Sequence, residues 1–228
     1  MSKKHLIAFL LGCAVATVAR NEVVRSVWQS ANKPSLLFRS ASFSEPRAMI
    51  LNGELPVCSA VVAGDAIYTA RHCLPKVKEG DEVAVLLEKD GKPVRQQVYL
   101  QKVYSDIAIL SFSKSVVVNA PTDATVKAGA RVVVVLGCLL SPDPAVYRAS
   151  LPYFEREAKV LAVMTAQEIG IIHLASHIPP SAKFALLDIG TFSGNSGSGV
   201  YIVDEQGKRH LIGVVSAGVS DYTVVALF

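Results

Sequence analysis

The stretch Cys58-Ser-Ala-Val-Val-Ala-Gly-Asp-Ala-Ile-Tyr-Thr-Ala-Arg-His72-Cys73 contains two short apolar runs separated by a Gly-Asp turn signal. Such runs on either side of a turn predict a β-hairpin, here with strands over Val57–Val62 and Ala66–Ala70. Cysteines lie at its two ends, and an oxidising compartment permits a disulfide between them, worth about 3 kcal/mol for a loop of this size. His72 follows the second strand directly, so the hairpin ends at a side chain that can act as a base.

Outward from this hairpin, the chain reads as short strands separated by turns, and no helix of ten or more residues is predicted after residue 19. Six strands, a linker and six or seven further strands are the number needed for two small antiparallel barrels. The sequence therefore predicts an all-β fold of two packed six-stranded antiparallel β-barrels, over residues 47–112 and 130–228, joined by a linker at 113–129. The remaining predicted strands are Ala48–Leu51, Glu82–Leu87, Val94–Val103, Ile107–Phe112, Arg131–Gly137, Ala158–Met164, Glu168–Leu174, Phe184–Leu187, Gly199–Val203, His210–Val215 and Tyr222–Leu227.

The N-terminus has the pattern of a signal peptide. Lys3 and Lys4 precede an apolar run from residue 6 to residue 19, which is shorter than the roughly 20 residues that cross a bilayer. This predicts a signal peptide at 1–19, a lead-in segment at 20–46, and a secreted or periplasmic protein. Two alternatives stay open: a lipoprotein signal in which Cys13 is lipidated and holds the protein at a membrane, and a buried N-terminal helix.

Composition excludes some partner classes. The chain is 51% hydrophobic, which is enough for a packed core, and its formal charge of +4 falls to 4 − 2 = +2 once Lys3 and Lys4 are removed. Charges of both signs are scattered, and no basic stripe is interleaved with aromatic residues, so nucleic acid is not predicted as a partner. No cofactor is predicted, and Cys138 is expected to be a buried free thiol.

A candidate nucleophile, Ser196, lies in the sequence Gly190-Thr-Phe-Ser-Gly-Asn-Ser-Gly-Ser-Gly199. Glycines at 194 and 197 permit tight backbone geometry, so the amides of Gly194 and Ser196 could converge on one developing negative charge. A flexible Gly/Ser loop is the alternative, which is weakened because the segment runs directly into the apolar strand 200–203. The α/β-hydrolase nucleophile elbow is excluded, since Ser198 stands where its closing glycine is required.

A serine hydroxyl needs a base, and His72 is the strongest candidate. A structural or metal-binding role for His72 stays open on residue type alone. His173 and His177 are spaced as a zinc pair, but no third ligand lies nearby and two prolines follow, so no metal site is predicted. His210, on a hairpin strand, is predicted to face solvent.

Asp106 is the candidate acid. It begins the apolar strand Ile107-Ala-Ile-Leu110, and a carboxylate at the head of a buried strand is costly unless it has a partner. The alternative is an ordinary turn aspartate.

Three blocks, Cys58–Cys73, Asp106–Leu110 and Gly194–Gly197, resemble the chymotrypsin/trypsin superfamily of serine peptidases and occur in that family's His, Asp, Ser order. The resemblance spans residues 47 to 228. It implies that His72 takes the proton of Ser196 and returns it to the leaving group, and that Asp106 orients His72. It further implies an oxyanion hole formed by the amides of Gly194 and Ser196, a Cys58–Cys73 disulfide, and an endopeptidase acting on proteins or peptides. We also expect the protein to be a monomer.

The chain departs from the animal digestive members in several respects. Asn195 stands where those enzymes carry the aspartate that pairs with a new N-terminus, and it resembles instead the bacterial glutamyl-endopeptidase and periplasmic quality-control branches and some plant-virus proteases. This predicts activity without an activation cleavage. Arg71 replaces a small residue and is expected to bend outward to an acid. A strand over residues 221–228 is predicted where those enzymes have a C-terminal helix.

The resemblance also gives a substrate pocket, with its floor at Gly190 and Thr191 and one wall at Ser216, Ala217 and Gly218. No acid occupies the floor, which argues against cleavage after Lys or Arg. A small or medium apolar residue is expected at the cleavage site. Two other functions stay open: a catalytically inactive binding protein with the same two barrels, and an unrelated β-rich lipoprotein or adhesin in which residues 72, 106 and 196 do not converge.

Overall fold

The computed structural model describes residues 47–228 apart from 117, 119–120, 122–124, 138–142, 144, 146, 148–150, 152, 171–177 and 219–220. The predicted signal peptide (1–19) with Cys13, the lead-in segment (20–46), Cys138, His173 and His177 lie outside the described residues. Among the described helices, none combines the length and apolar character needed to span a membrane.

Twelve strands in the described part of the chain form two closed antiparallel barrels. The strands of the first barrel are β1 (Arg47–Asn52), β2 (Leu55–Ala63), β3 (Ala66–Ala70), β4 (Glu82–Lys89), β5 (Lys92–Tyr104) and β6 (Ile107–Ser111). The strands of the second barrel are β7 (Arg131–Gly137), β8 (Tyr153–Thr165), β9 (Lys183–Leu187), β10 (Gly199–Val203), β11 (Arg209–Gly218) and β12 (Thr223–Leu227). The predicted all-β fold of two packed six-stranded barrels is confirmed.

Both barrels have the same strand order. The order is β1-β2-β3-β6-β5-β4 in the first barrel and β7-β8-β9-β12-β11-β10 in the second, and each closes by pairing its first strand with its fourth. Full closure leaves no open sheet edge in either barrel. In both, the third strand pairs with the sixth, which brings the end of one next to the start of the other.

Alternation along the strands divides the apolar side chains between two kinds of core. In β7, Val132, Val134 and Leu136 belong to the interior of the second barrel, whereas Val135 belongs to the layer between the barrels. Because successive side chains of a strand point to opposite faces, one valine-rich strand contributes to both. The barrel interiors and the layer between them are separate apolar clusters, and the layer includes Tyr68 and Phe184.

One predicted strand is wrong. Residues 168–169 of the predicted strand Glu168–Leu174 belong to a short helix, α1 (Ala166–Ile169), and residues 171–174 lie outside the described part. The reason is a capping box: the Thr165 hydroxyl accepts from the Glu168 amide, and the Glu168 carboxylate accepts from the Thr165 amide. The helix ends at Gly170, which has a left-handed conformation.

The turn between β10 and β11 is built around Asp204. Its carboxylate accepts hydrogen bonds from the amides of Gln206 and Lys208 and from His210 Nε2, the last at 2.8 Å. The His210 side chain, predicted to face solvent, is 40% exposed and paired with Asp204.

Candidate active site

Strand pairing in the first barrel brings His72 and Asp106 together. Ala70 at the end of β3 is the partner of Ile107 at the start of β6, and the Arg71 amide continues this ladder to the Asp106 carbonyl at 2.9 Å. His72 lies in the 3-10 turn that follows β3 (Arg71–Cys73), and Asp106 lies in the two-residue turn between β5 and β6. Residues 34 positions apart therefore meet because they occupy adjoining strand ends.

Three side chains form a continuous hydrogen-bonded chain. His72 Nδ1 is 2.8 Å from Asp106 Oδ2, and His72 Nε2 is 2.9 Å from Ser196 Oγ. A carboxylate only accepts, so Nδ1 carries the proton of a neutral imidazole and Nε2 is left as the acceptor for the serine hydroxyl. The His72 side chain is 44% exposed, so the Ser196 end of this hydrogen-bonded series is open to a substrate.

The Asp106 carboxylate is buried and fully provided with donors. It accepts from the His72 amide at 3.0 Å, from His72 Nδ1, and from the Ser216 hydroxyl at 2.5 Å. Asp106 is 4% exposed, and these three donors offset the cost of burying its charge. Ser216, predicted as part of the pocket wall, is thus also a hydrogen-bond partner of Asp106.

The turn that carries His72 is held by a disulfide and by Arg71. Cys58 and Cys73 are joined as the resemblance implied, which ties the turn back to β2. Arg71 does not reach an acid: its guanidinium donates to the carbonyl oxygens of Leu74 and Val77. Both carbonyls belong to the segment that follows the turn, so Arg71 ties the turn to the residues after it.

The nucleophile lies in a tight turn just before β10. The Asn195 amide donates to the Phe192 carbonyl at 3.0 Å, with Gly194 at the third position of the turn and a φ of 94°. A type II turn requires a positive φ at that position, which favours glycine. The buried Asn195 side chain closes the same turn, because its Oδ1 accepts from the Phe192 amide and its Nδ2 donates to the Gly137 carbonyl.

The first barrel also supports the nucleophile turn directly. The Ser59 amide donates to the Ser196 carbonyl at 2.8 Å, and the Ser59 hydroxyl donates to the Gly194 carbonyl at 2.9 Å. Contact here is so close that a Cβ on Gly197 would lie 2.0 Å from the Ser59 carbonyl oxygen and 2.4 Å from Thr69 Oγ1. Only glycine fits position 197 without moving the two barrels apart.

Two backbone donors next to Ser196 are unused. No described residue accepts a hydrogen bond from the amide of Gly194 or from that of Ser196. Both amides belong to the turn that the contacts above hold in place. They are the pair that the sequence suggested as an oxyanion hole, and such donors stabilise charge that develops on a bound carbonyl oxygen.

The predicted pocket residues lie on both sides of the nucleophile turn. Gly190 and Thr191 are buried ahead of it, and Ser216, Ala217 and Gly218 form the partly exposed end of β11. The described residues include one group with metal-ligand atoms close together, made of Cys58, His72 and Cys73. Its two sulfur atoms are joined in the disulfide, so they are not thiolate ligands.

Sequence reasoning missed the role of Ser59. It is fully buried in the apolar strand β2, directly after Cys58, and contacts a turn 135 residues away in the chain. A buried polar residue in an otherwise apolar strand needs a hydrogen-bond partner. The sequence therefore indicated that Ser59 has a partner, but it did not indicate which residue that is.

No protein-family model and no curated protein matches the chain. Among solved structures, it is similar to an inactive mutant form of Rv3671c from M. tuberculosis H37Rv, with a TM-score of 0.52 and 16% identity over 79% of this chain and 80% of that one. An inactive form of the Rv3671c protease gives a TM-score of 0.52 and 18% identity over 81% and 83% of the two chains. Neuropsin, a serine protease expressed in the limbic system of mouse brain, gives a TM-score of 0.47 and 16% identity over 79% of this chain and 88% of that one.

At such identities the likeness to the two Rv3671c structures bears on the fold alone. Together with the two closed barrels of identical strand order, it identifies the fold of this chain as that of the chymotrypsin/trypsin-like serine peptidases.

Proposed function

We propose that the chain is a secreted serine endopeptidase that cleaves peptide bonds through an acyl-enzyme on Ser196. One observation carries the proposal: the unbroken hydrogen-bond chain from Asp106 through His72 to Ser196, with contacts of 2.8 and 2.9 Å. A serine hydroxyl is weak at neutral pH, and an adjoining base that is itself oriented by a third group is what activates it.

In the first half of the reaction, Ser196 Oγ attacks the carbonyl carbon of the scissile bond while its proton passes to His72 Nε2. The imidazolium that forms is stabilised by Asp106, which stays ionised. The carbonyl oxygen becomes negative and accepts from the amides of Gly194 and Ser196. His72 then gives its proton to the leaving nitrogen as the C–N bond breaks, and the acyl group stays on Ser196 Oγ.

In the second half, water takes the place of the leaving amine. His72 Nε2 removes a proton from the water as its oxygen attacks the acyl carbon, and the same two amides accept the negative oxygen. Collapse returns the proton from His72 to Ser196 Oγ and releases the new carboxylic acid. Every proton taken is returned, so the cycle consumes one water and needs no cofactor.

The contacts of Asn195 support activity without an activation cleavage. A neutral amide holds the nucleophile turn from within, through the Phe192 amide and the Gly137 carbonyl. No charge at position 195 then has to be neutralised by a new N-terminus.

Secretion is part of the proposal. The signal-peptide pattern of residues 1–19 supports export to the periplasm or the medium, and the Cys58–Cys73 disulfide suits an oxidising compartment. The substrate is a protein or peptide, and the chain acts as a monomer.

Labelling with a fluorophosphonate tests the enzyme proposal. We expect the purified protein to be labelled once per chain, on Ser196, and to cleave an unfolded protein substrate. Ser196→Ala and His72→Ala should each reduce cleavage by about 10⁶-fold, as for other activated serines. Ser193→Ala, an exposed neighbour in the same turn, is the matched control and should still be labelled. An unlabelled wild-type protein, or labelling that survives Ser196→Ala, would contradict the proposal.

A further inference from the structure

The residues that the resemblance assigns to the substrate pocket lie in two chain segments on either side of the nucleophile turn. One consists of Gly190 and Thr191, directly ahead of that turn. The other is the end of β11, which pairs with the nucleophile turn through the contacts Gly197 N to Val215 O (2.8 Å) and Val215 N to Ser198 O (2.9 Å). Ser216 anchors this second segment to Asp106. Both segments are therefore fixed relative to the reacting atoms.

The two segments touch each other. A Cβ built on Gly218 would lie 1.7 Å from Thr191 Oγ1, 2.9 Å from its Cβ and 3.1 Å from its carbonyl oxygen. Real side-chain atoms do not approach so closely, which means that the Gly218 backbone is already in van der Waals contact with Thr191. Thr191 is 2% exposed, as expected for a residue that fills the gap between the segments rather than lining an open pocket.

Thr223 stabilises this contact between Gly218 and Thr191. It is fully buried, it is the strand partner of Gly218, and its hydroxyl lies 2.7 Å from the Ile189 carbonyl and 3.1 Å from Thr191 Oγ1. The Thr223 hydroxyl is placed to donate to either of these two oxygens. This contact holds Thr191 Oγ1 next to Gly218.

We propose that Thr191 is a specificity-determining residue that restricts the residue on the acyl side of the scissile bond to Gly, Ala or Ser. The inference rests on the proposed function and narrows the expectation of a small or medium apolar residue. Larger side chains of the substrate do not fit because Thr191 Oγ1 occupies the space. The same steric exclusion therefore applies to Lys, Arg, Glu, Leu and Phe at this substrate position. Charge at the pocket floor plays no part in this exclusion.

A series of internally quenched peptides that differ only in this residue (Gly, Ala, Ser, Val, Leu, Phe, Glu, Lys) tests the inference. Each misplaced methylene costs about 10- to 200-fold in kcat/KM. We expect the Ala peptide to exceed the Val peptide by at least about 100-fold, with no measurable cleavage of the Leu or Phe peptide. Thr191→Ala removes the atom that lies against Gly218, so the Val and Leu peptides should gain at least about 10-fold relative to Ala.

Thr191→Ser is the matched control, because it keeps Oγ1 and loses only the methyl group. It should keep the wild-type ranking of the peptides. Rates are normalised to the number of sites labelled by the fluorophosphonate, so a loss of folded protein does not enter the comparison.

Three outcomes overturn the inference in distinguishable ways. A labelled enzyme that cleaves the Leu or Phe peptide as well as the Ala peptide overturns the size restriction and leaves the proposed function standing. An unchanged ranking in Thr191→Ala overturns the assignment to Thr191. A protein that the fluorophosphonate does not label overturns both this inference and the enzyme on which it rests.

Discussion

The two barrels hold their parts of the site by different means. In the first barrel, the turn that carries His72 is fixed by a disulfide and by the charged Arg71, and the Asp106 carboxylate accepts from three donors. In the second, the turn that carries Ser196 is fixed by neutral hydrogen bonds that involve Ser59 and Asn195. We call these the base half and the nucleophile half.

The difference follows from where the charges lie. The base half needs a buried carboxylate, so it contains charged donors and acceptors close together. The nucleophile half has to present two unused amides to an incoming oxyanion, and a nearby fixed negative charge would compete with that oxyanion for them. Neutral contacts hold the turn without this competition. We therefore expect the nucleophile half to be the more sensitive to an added charge and the base half to a lost cross-link.

Among the changes that test this comparison of the two halves, the largest effect is expected from Asn195→Asp. The change keeps the shape of the side chain but replaces the donor that faces the Gly137 carbonyl by an acceptor oxygen, at a site only 4% exposed. A buried, unpaired carboxylate costs on the order of 3 kcal/mol or more. The melting temperature should fall strongly. The rate of fluorophosphonate labelling at pH 7 should fall by about 10²- to 10³-fold, because a fixed negative charge beside the two amides competes with the oxyanion for these donors.

Asn52→Asp is the matched control for that variant. It makes the same chemical change at an exposed residue at the end of β1, and it should alter stability by no more than about 0.5 kcal/mol. If Asn195→Asp were labelled at the wild-type rate, neutrality at this position would not matter and the distinction between the halves would fail.

The second effect concerns the cross-link of the base half. Replacing Cys58 and Cys73 together by alanine removes a link with a sequence separation of 15, worth about 3 kcal/mol. For a chain of this size the melting temperature should fall by roughly 6–12 °C. Labelling well below that temperature should fall much less than in Asn195→Asp, because Asp106 and the carbonyls held by Arg71 still fix the turn.

Dithiothreitol provides the control for the cross-link. It should lower the melting temperature of the wild type to that of the double variant and leave the double variant unchanged. A double variant as stable as the wild type would show that the hydrogen bonds alone fix the base half.

Most of the fold could be predicted because its strands are short apolar runs separated by turn residues. The exception shows what that pattern omits. Apolar residues around Ile169 suggested a strand, but Thr165 and Glu168 form a capping box, and this local pair of hydrogen bonds ended β8 and began α1. The capping-box residues Thr165 and Glu168 are visible in the sequence, but the strand prediction rested on the apolar residues that follow them.

The candidate site divides in the same way. Residue type and order were enough to predict that His72, Asp106 and Ser196 act together, because a serine needs a base and the base needs an orienting acid. The contacts of Ser59 and Thr191 were not predictable, because they depend on how closely the barrels and the pocket segments approach. Arg71 was assigned an acid as partner, whereas its guanidinium donates to the carbonyl oxygens of Leu74 and Val77 in the segment after the turn.

A smaller effect of opposite sign is expected from Ser105→Gly in the base half. Ser105 precedes Asp106 with a φ of 54°, and no described residue partners its buried hydroxyl. Glycine removes a left-handed strain of about 1–2 kcal/mol but costs about 0.5–1 kcal/mol of chain entropy. Loss of the unpartnered hydroxyl adds to the gain, so unfolding should cost about 1 kcal/mol more.

Asp90→Gly is the control for backbone strain. Asp90 has a φ of 51° in an exposed turn and no buried hydroxyl, and aspartate tolerates this conformation, so the change should be close to neutral. Ser105→Ala removes the hydroxyl and keeps the strain, which separates the two contributions. A destabilised Ser105→Gly would mean that the hydroxyl has a role in supporting Asp106.

The smallest effect is expected outside the nucleophile half, in the exposed β10–β11 turn. Hydrogen bonds from His210, and then from the Lys208 amide, hold the pKa of Asp204 below its ordinary value. A depressed carboxyl pKa contributes stability above the unfolded pKa of about 3.9, and the contribution is lost as the pH falls through the folded pKa. Asp204→Asn should therefore lower the melting temperature slightly at pH 7, and the difference from the wild type should shrink as the pH falls below about 3.9. Glu205→Gln removes the same charge from the same exposed turn without touching His210 and should show no such pH dependence.

Neither variant should slow the labelling of Ser196, since the buried neutral contacts rather than this exposed pair hold the nucleophile turn. Slower labelling in Asp204→Asn would extend the nucleophile half to the β10–β11 turn.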